Sequence, residues 1–262
     1  MNDWLHNLPV PWMALLIFGF TYLLAAAIYA GVASFAVGER VKSFKAISPG
    51  LLPSLGIIFG LFVAFTAAQV WSDNDRAAAA VSREASALRS VMVLAGSFAG
   101  EPESRLRSLI RTYIEEAATV EWPMMAHQTA SLKITPPPLA EALQLVLSLA
   151  TTSPGQQTAQ REIASAIETA LDARRQRIIV SRTEVNFVKW SCLYLQAACV
   201  LLAIAMVHCD DRLASMVAMG LYAAGVAAAV LLIAAHDRPF TGQISVTPEP
   251  LLQIMPDAPA NR

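Results

Sequence analysis

Residues 60–80 read GLFVAFTAAQVWSDNDRAAAA. The first half is apolar enough for a bilayer, and the second is charged and alanine-rich. No Gly or Pro, the usual helix stops, lies between Leu61 and Ala80. One helix is therefore expected to leave the membrane without ending. The surroundings extend this reading. Asn7 to Gly38, Ala46 to Ser72, Trp190 to Val207 and Leu213 to Ala235 contain no Asp, Glu, Lys or Arg. Each is close to the ~20 residues that cross a hydrocarbon core of about 30 Å. The expected transmembrane helices cover roughly residues 12–36, 51–71, 188–208 and 213–235. Trp4, Trp12, Tyr29, Trp71 and Trp190 fall near span ends, where aromatic side chains favour the interface. The first span is not expected to be a signal peptide, because Asp3 and no basic residue precedes it and its apolar run is long.

The chain is 55% hydrophobic and only 15% charged, too few charges for a soluble surface of this size. Most of the charge sits between Asp73 and Lys189, which predicts a helical soluble domain. Residues 76–98 are alanine-rich, with apolar Val81, Leu88, Val91 and Met92. Glu84 is expected to pair weakly at the surface with neighbours such as Arg76 or Arg83. Glu101-Pro102-Glu103 opens the next helix, with Leu106, Leu109, Ile110, Tyr113, Ile114 and Ala117 on one face. Pro123 closes or kinks it, and a short helix follows at 139–150. From Gln156 to His208 there is no Pro or Gly. Ile163, Ile167, Leu171, Ile178 and Ile179 carry one face; Arg174, Arg175, Arg177 and Arg182 carry the other. The third span, like the second, is thus expected to continue a long soluble helix. The fold class is all-α, with four spans and no internal repeat. The expected organisation is a transmembrane pair at 1–72, a helical soluble domain at 73–187, a second transmembrane pair at 188–236 and an extended Pro-rich tail at 237–262.

A net charge of −1 argues against a nucleic-acid partner. His6, His127, His208 and His236 are scattered, with no metal-ligand spacing, and no phosphate loop or nucleophile elbow is present. No enzyme, metal or cofactor is expected. Cys192, Cys199 and Cys209 form no CxxC and read as buried thiols. The spans hold no ionisable group, which disfavours an ion-coupled carrier and leaves a passive pore or a non-conducting scaffold. The second span has two legible faces. Gly56, Gly60, Ala64 and Ala68 form a small-residue face that lets another helix approach closely. Beside it run Ile57, Leu61 and Phe65, then Gln69 and Asp73. Three bulky apolar residues one turn apart, followed by an amide and a carboxylate, suit a narrow neck opening into a wet vestibule; the same stripe also suits lipid or core. Asp73, Asp75 and Arg76 follow the second span, and Asp237 and Arg238 follow the fourth. Topology places them on one side, which predicts an interhelix ion pair between Arg238 and Asp73 or Asp75.

Four segments taken together, GLFVAFTAAQVWSDNDRAAAAVSREASAL, RTYIEEAATVEWPMM, DARRQRIIVSR and HDRPFTGQISVTPEP, resemble the bestrophin-like bacterial membrane proteins. The resemblance covers roughly residues 50–250, and Glu121-Trp122-Pro123 and Asp237-Arg238-Pro239-Phe240 are its most specific parts. By name the family points to bestrophins, pentameric anion channels whose second transmembrane helix lines a pore with an apolar neck. The resemblance implies a homo-oligomeric, pentameric, chloride-type anion channel in the lipid bilayer, with a pore neck at Ile57, Leu61 and Phe65 and a vestibule at Gln69 and Asp73. The chain lacks the acidic calcium-clasp run of bestrophins, so calcium gating is not implied. The alternative is a non-conducting membrane scaffold or sensor whose helical domain binds a protein partner.

Placement in the bacterial inner membrane follows. Basic flanks at Arg76, Arg83, Arg174, Arg175, Arg177, Arg182 and Lys189 favour a cytoplasmic soluble domain. Against this, the first short loop carries Arg40, Lys42 and Lys45, while the segment before the first span has no basic residue.

Overall fold

The computed structural model describes residues 8–38, 40–46 and 50–257, and these contain helices and no strand. Trp4 and His6 lie outside the described residues. In chain order the helices are α1 (Val10–Phe35), α2 (Arg40–Lys45), α3 (Leu51–Ala95), α4 (Glu101–Glu116), a π-helical turn (Ala117–Glu121), α5 (Trp122–Ala126), α6 (Pro137–Ser148), α7 (Pro154–Val180), α8 (Phe187–Val207), α9 (Arg212–His236) and α10 (Glu249–Leu252). α1, α3, α8 and α9 are long and apolar enough to cross a membrane. α3 is the expected unbroken helix. Its 45 residues run about 68 Å at 1.5 Å per residue, far more than a bilayer needs. It gives way to a single 3₁₀ turn, Gly96–Phe98, and Gly100 precedes α4 at φ 102°, a conformation that requires glycine.

The chain divides into two compact units, one of residues 1–72 and 184–237, the other of residues 73–183 and 238–262. In the membrane unit α1 packs on α8 and α9. Edge-on rings join Phe20 to Tyr194 at 5.3 Å, and Phe59 of α3 meets Tyr222 of α9 at 5.8 Å. Two buried threonine hydroxyls are satisfied within their own helices: Thr21 donates to the Ile17 carbonyl and Thr66 to that of Phe62, both at 2.8 Å. This is the cheapest solution where water is absent. The two short inter-span loops are joined by Lys45 and Asp210. Their mutual hydrogen bond holds the Asp210 carboxyl below its ordinary range and raises the Lys45 ammonium.

The helical unit is built around one apolar core, with Val81, Leu88 and Val91 of α3, Leu106, Ile110 and Ile114 of α4, Leu139 and Val146 of α6, and Ile163 and Ile167 of α7. Ser153 caps α7, accepting the Gln156 N–H at 3.2 Å. The Pro-rich segment after residue 237 is not an extended tail. Thr241 donates to the Ala126 carbonyl at 2.8 Å, Trp122 Nε1 donates to the Val246 carbonyl at 3.0 Å, and Leu251 of α10 is fully buried. Burial of its apolar residues, together with the Ala126 carbonyl at the end of α5 and the Trp122 indole, explains why it folds back.

The third span, contrary to expectation, does not continue the soluble helix. α7 ends at Val180 and α8 starts at Phe187, although neither Gly nor Pro intervenes. Side-chain competition for the backbone stops the helix. Ser181 Oγ donates to the Ile178 carbonyl and Thr183 Oγ1 to that of Val180, both at 2.8 Å. Asn186 then caps α8 by accepting the Lys189 N–H at 3.0 Å, and Asp237 Oδ1 takes the Val185 N–H at 2.6 Å.

Candidate functional site

Within the membrane unit α3 buries Phe59, Thr66, Ala67 and Val70. The stripe singled out from the sequence lies elsewhere on the helix: Ile57, Leu61 and Phe65 are 63%, 52% and 73% exposed. It ends in a polar contact, since Lys189 of α8 donates its Nζ to Gln69 Oε1. Asp73, one turn further, pairs with Arg76 of the same helix at 3.5 Å. Asp75 is exposed, while Asp237 and Arg238 are buried, Asp237 receiving the Val185 N–H. The small-residue face does not pack against the chain's own helices. A methyl group added at Gly56 or Gly60 meets nothing within 4 Å, and Gly60, Ala64 and Ala68 are exposed. Ahead of Gln69, both the apolar stripe and the small-residue face of α3 are left largely exposed in a single chain.

The sequence reading missed a second centre, in the helical unit. Glu84 is fully buried rather than at the surface, and so is Arg177. The Arg177 guanidinium donates from Nε to Glu84 Oε2 at 2.8 Å and from Nη2 to Glu84 Oε1 at 3.1 Å. The same Nη2 reaches Glu121 Oε2 at 3.0 Å. Tyr113 donates its hydroxyl to Glu84 Oε1, and Arg174, also buried, binds Glu121 Oε1 through Nε at 2.7 Å and through Nη2. Arg177 Cζ lies 4.6 Å from the centre of the Trp122 ring, and that ring meets Phe240 edge-on at 5.6 Å. Two carboxylates and two guanidiniums thus neutralise one another in the core.

This electrostatic balance sets the titrations. Burial disfavours the Arg177 charge, yet the Glu84, Tyr113 and Glu121 oxygens outweigh burial and hold its proton more tightly than in an exposed arginine. Burial, then the Glu84 charge, pushes the Tyr113 phenol well above its ordinary value, against a smaller pull from Arg177. Neither group is poised for proton transfer near neutrality.

A local backbone device helps to position the cluster. Pro123 lacks an N–H, and its ring would crowd the carbonyl four residues back in a regular helix. The chain widens instead: the Trp122 N–H bonds to the Ala117 carbonyl, five residues back. This π-turn carries Glu121 to Arg174 and Arg177. Among the described residues no three His, Cys, Asp or Glu side chains gather as a metal site would require.

Comparison with known proteins agrees with the architecture. The bestrophin-like domain matches residues 19–251. Among solved structures, the fold resembles a bacterial bestrophin homologue from Klebsiella pneumoniae carrying an isoleucine-to-threonine mutation. That likeness has a TM-score of 0.71 and 11% identity over 92% of this chain and 97% of the other. A variant of the homologue with a leucine-to-threonine mutation gives a TM-score of 0.64 and 14% identity over 92% and 96%. At such identities the likeness is one of fold. No curated protein matches the chain. With the family domain spanning most of its length, and four apolar helices of membrane-crossing length, the chain is a membrane protein that belongs to the bestrophin-like family.

Proposed function

We propose that the protein is a homo-oligomeric, pentameric ion channel that passes anions such as chloride. In this reading α3 of each subunit lines the pore, with Ile57, Leu61 and Phe65 as its neck and Gln69 and Asp73 at the vestibule. The observation that carries it is the continuous apolar stripe that α3 leaves exposed, ending at the Gln69–Lys189 contact. In one chain this stripe has no function, whereas around an axis it makes a hydrophobic constriction able to gate by dewetting. Gly56, Gly60, Ala64 and Ala68 then offer the adjacent subunit's helix a close approach. Lys189 puts positive charge beside the wet end of the neck, which favours anions. Arg238 with Asp73 or Asp75 is retained as a proposed tie between span ends. The protein sits in the cell membrane with its helical unit in the cytoplasm, carries no catalytic centre, and needs no cofactor for conduction.

Planar-bilayer recording under a chloride gradient tests this reading. Purified protein is expected to conduct, and Phe65→Ala and Leu61→Ala to raise the conductance by widening the neck. A silent wild type that stays silent in both variants refutes the pore and leaves the scaffold or sensor role. A dimeric assembly refutes the axial arrangement.

A further inference from the structure

The π-turn that positions Glu121 also borders an open cavity of about 350 Å³ at the surface of the helical unit. Its walls are aliphatic. Val120 and Met124 come from the π-turn and α5, Ile134 and Pro136 from the segment leading into α6, and Pro137 from its first position. No aromatic ring lines it. A concave, mostly apolar space of this size with a few polar groups is the usual form of a small-molecule site. The two consecutive prolines fix one wall in advance, which lowers the ordering cost of binding.

The polar groups decide the class of ligand. Glu121 and Arg174 on the wall already neutralise each other. Glu116, also on the wall, is exposed and makes no ion pair among the described residues. The site therefore presents one uncompensated charge, and it is negative. In a regular α-helix Glu116 and Glu121 would point in different directions, because five residues overshoot one turn. The wider π-turn brings residues five apart nearer to one face, and both Glu116 and Glu121 line the cavity; such turns occur often at functional sites. Without an aromatic ring there is no cage for a quaternary ammonium, so a cationic head must be held by N–H donors to the Glu116 carboxylate.

We propose that this cavity binds a small amphiphile with an aliphatic body and a protonated primary amine, the amine donating to Glu116 at the rim. The site is independent of conduction, and binding is measured without current, so the pore reading and this one fail separately. The test is calorimetric titration of the protein in lipid nanodiscs, with empty nanodiscs as the blank and n-hexylamine, n-hexyltrimethylammonium and hexanoate as probes. Saturable hexylamine binding is expected, about fivefold tighter than for the other two, the size of one rim ion pair. Glu116→Gln is expected to remove that preference. Val120→Trp or Ile134→Trp, both at exposed positions, is expected to fill the cavity and abolish saturable binding. The proposal is overturned by hexanoate binding as tightly as hexylamine, by a preference that survives Glu116→Gln, or by saturable binding that survives both tryptophans. It is equally overturned if no probe saturates, or if either tryptophan dissociates the assembly, which would make the groove a subunit contact.

Discussion

Replacing Arg177 by Met removes the central charge of the buried cluster at nearly constant volume. Glu84, fully buried, then keeps only the Tyr113 hydroxyl as a donor, and Glu121 keeps only Arg174. Breaking a buried pair from one side costs about 3–5 kcal/mol, because the surviving charge has no water to replace its partner. The lost contact with Trp122 adds to this at 4.6 Å, though not additively. For a domain of this size 1 kcal/mol moves the midpoint by about 2–4 °C, so the single variant is expected to fall by roughly 10 °C. Glu84→Met should do comparable damage by stranding Arg177. The double variant Glu84→Met/Arg177→Met is the discriminating case. An apolar pair in place of an ionic one is often neutral, so it should recover more than half of the loss. Thermal unfolding followed by tryptophan fluorescence reads the midpoints, and hydrogen exchange of peptides from α3 and α7 assigns the change to the helical unit. A single variant within about 3 °C of wild type, or a double variant that loses as much as the two singles together, would refute the reasoning.

Three further outcomes follow from the same geometry. Tyr113→Phe deletes a hydrogen bond to a charged acceptor and should cost about 1.5–3 kcal/mol at neutral pH. Because the folded phenol is pushed above its ordinary value of 10.0, its contribution is full below that pH and is lost as pH rises beyond it. Wild type should therefore lose stability more steeply than Tyr113→Phe in midpoints measured between pH 9 and 11. A Cβ at Gly60 meets no atom within 4 Å in its own chain; Gly60→Leu should leave helix content unchanged while light scattering in detergent shows a smaller assembly. Lys189→Gln removes the positive charge beside Gln69 and should lower the chloride-to-sodium permeability ratio, read from reversal potentials.

The membrane spans and the unbroken α3 were legible because charge-free runs and missing helix breakers are direct consequences of bilayer physics. The ionic cluster was legible by position and hidden by polarity. Ala77, Val81, Glu84, Leu88 and Val91 recur three or four apart, as do Ile163, Ile167, Ala170, Arg174 and Arg177. Periodicity alone puts Glu84, Arg174 and Arg177 on the buried faces; only the expectation that charges face water moved them outside. The break before α8 was missed for a related reason. Ser181, Thr183 and Asn186 stop a helix through their side chains, and a search for Gly and Pro passes over them. The π-turn has no period of its own, and Pro123 was its single trace.

The two centres place opposite demands on sequence, and this makes their roles separable. The proposed neck asks only for bulk and apolarity at Ile57, Leu61 and Phe65, and many side chains meet that demand. The buried cluster asks for each member by name, since the loss of one strands the others. The segments that carried the resemblance accordingly meet here rather than at the neck: Glu84, Tyr113, Glu121, Trp122, Arg174, Arg177 and Phe240 all belong to it. It follows that alanine at the proposed neck, where the side chains are 52–73% exposed, should leave the folded subunit almost as stable as before. An altered conductance there would read the proposed pore itself. An altered conductance after a change at Glu84 or Arg177 reads folding first, and has meaning for gating only in the Met/Met double variant, where charge is removed and packing is kept.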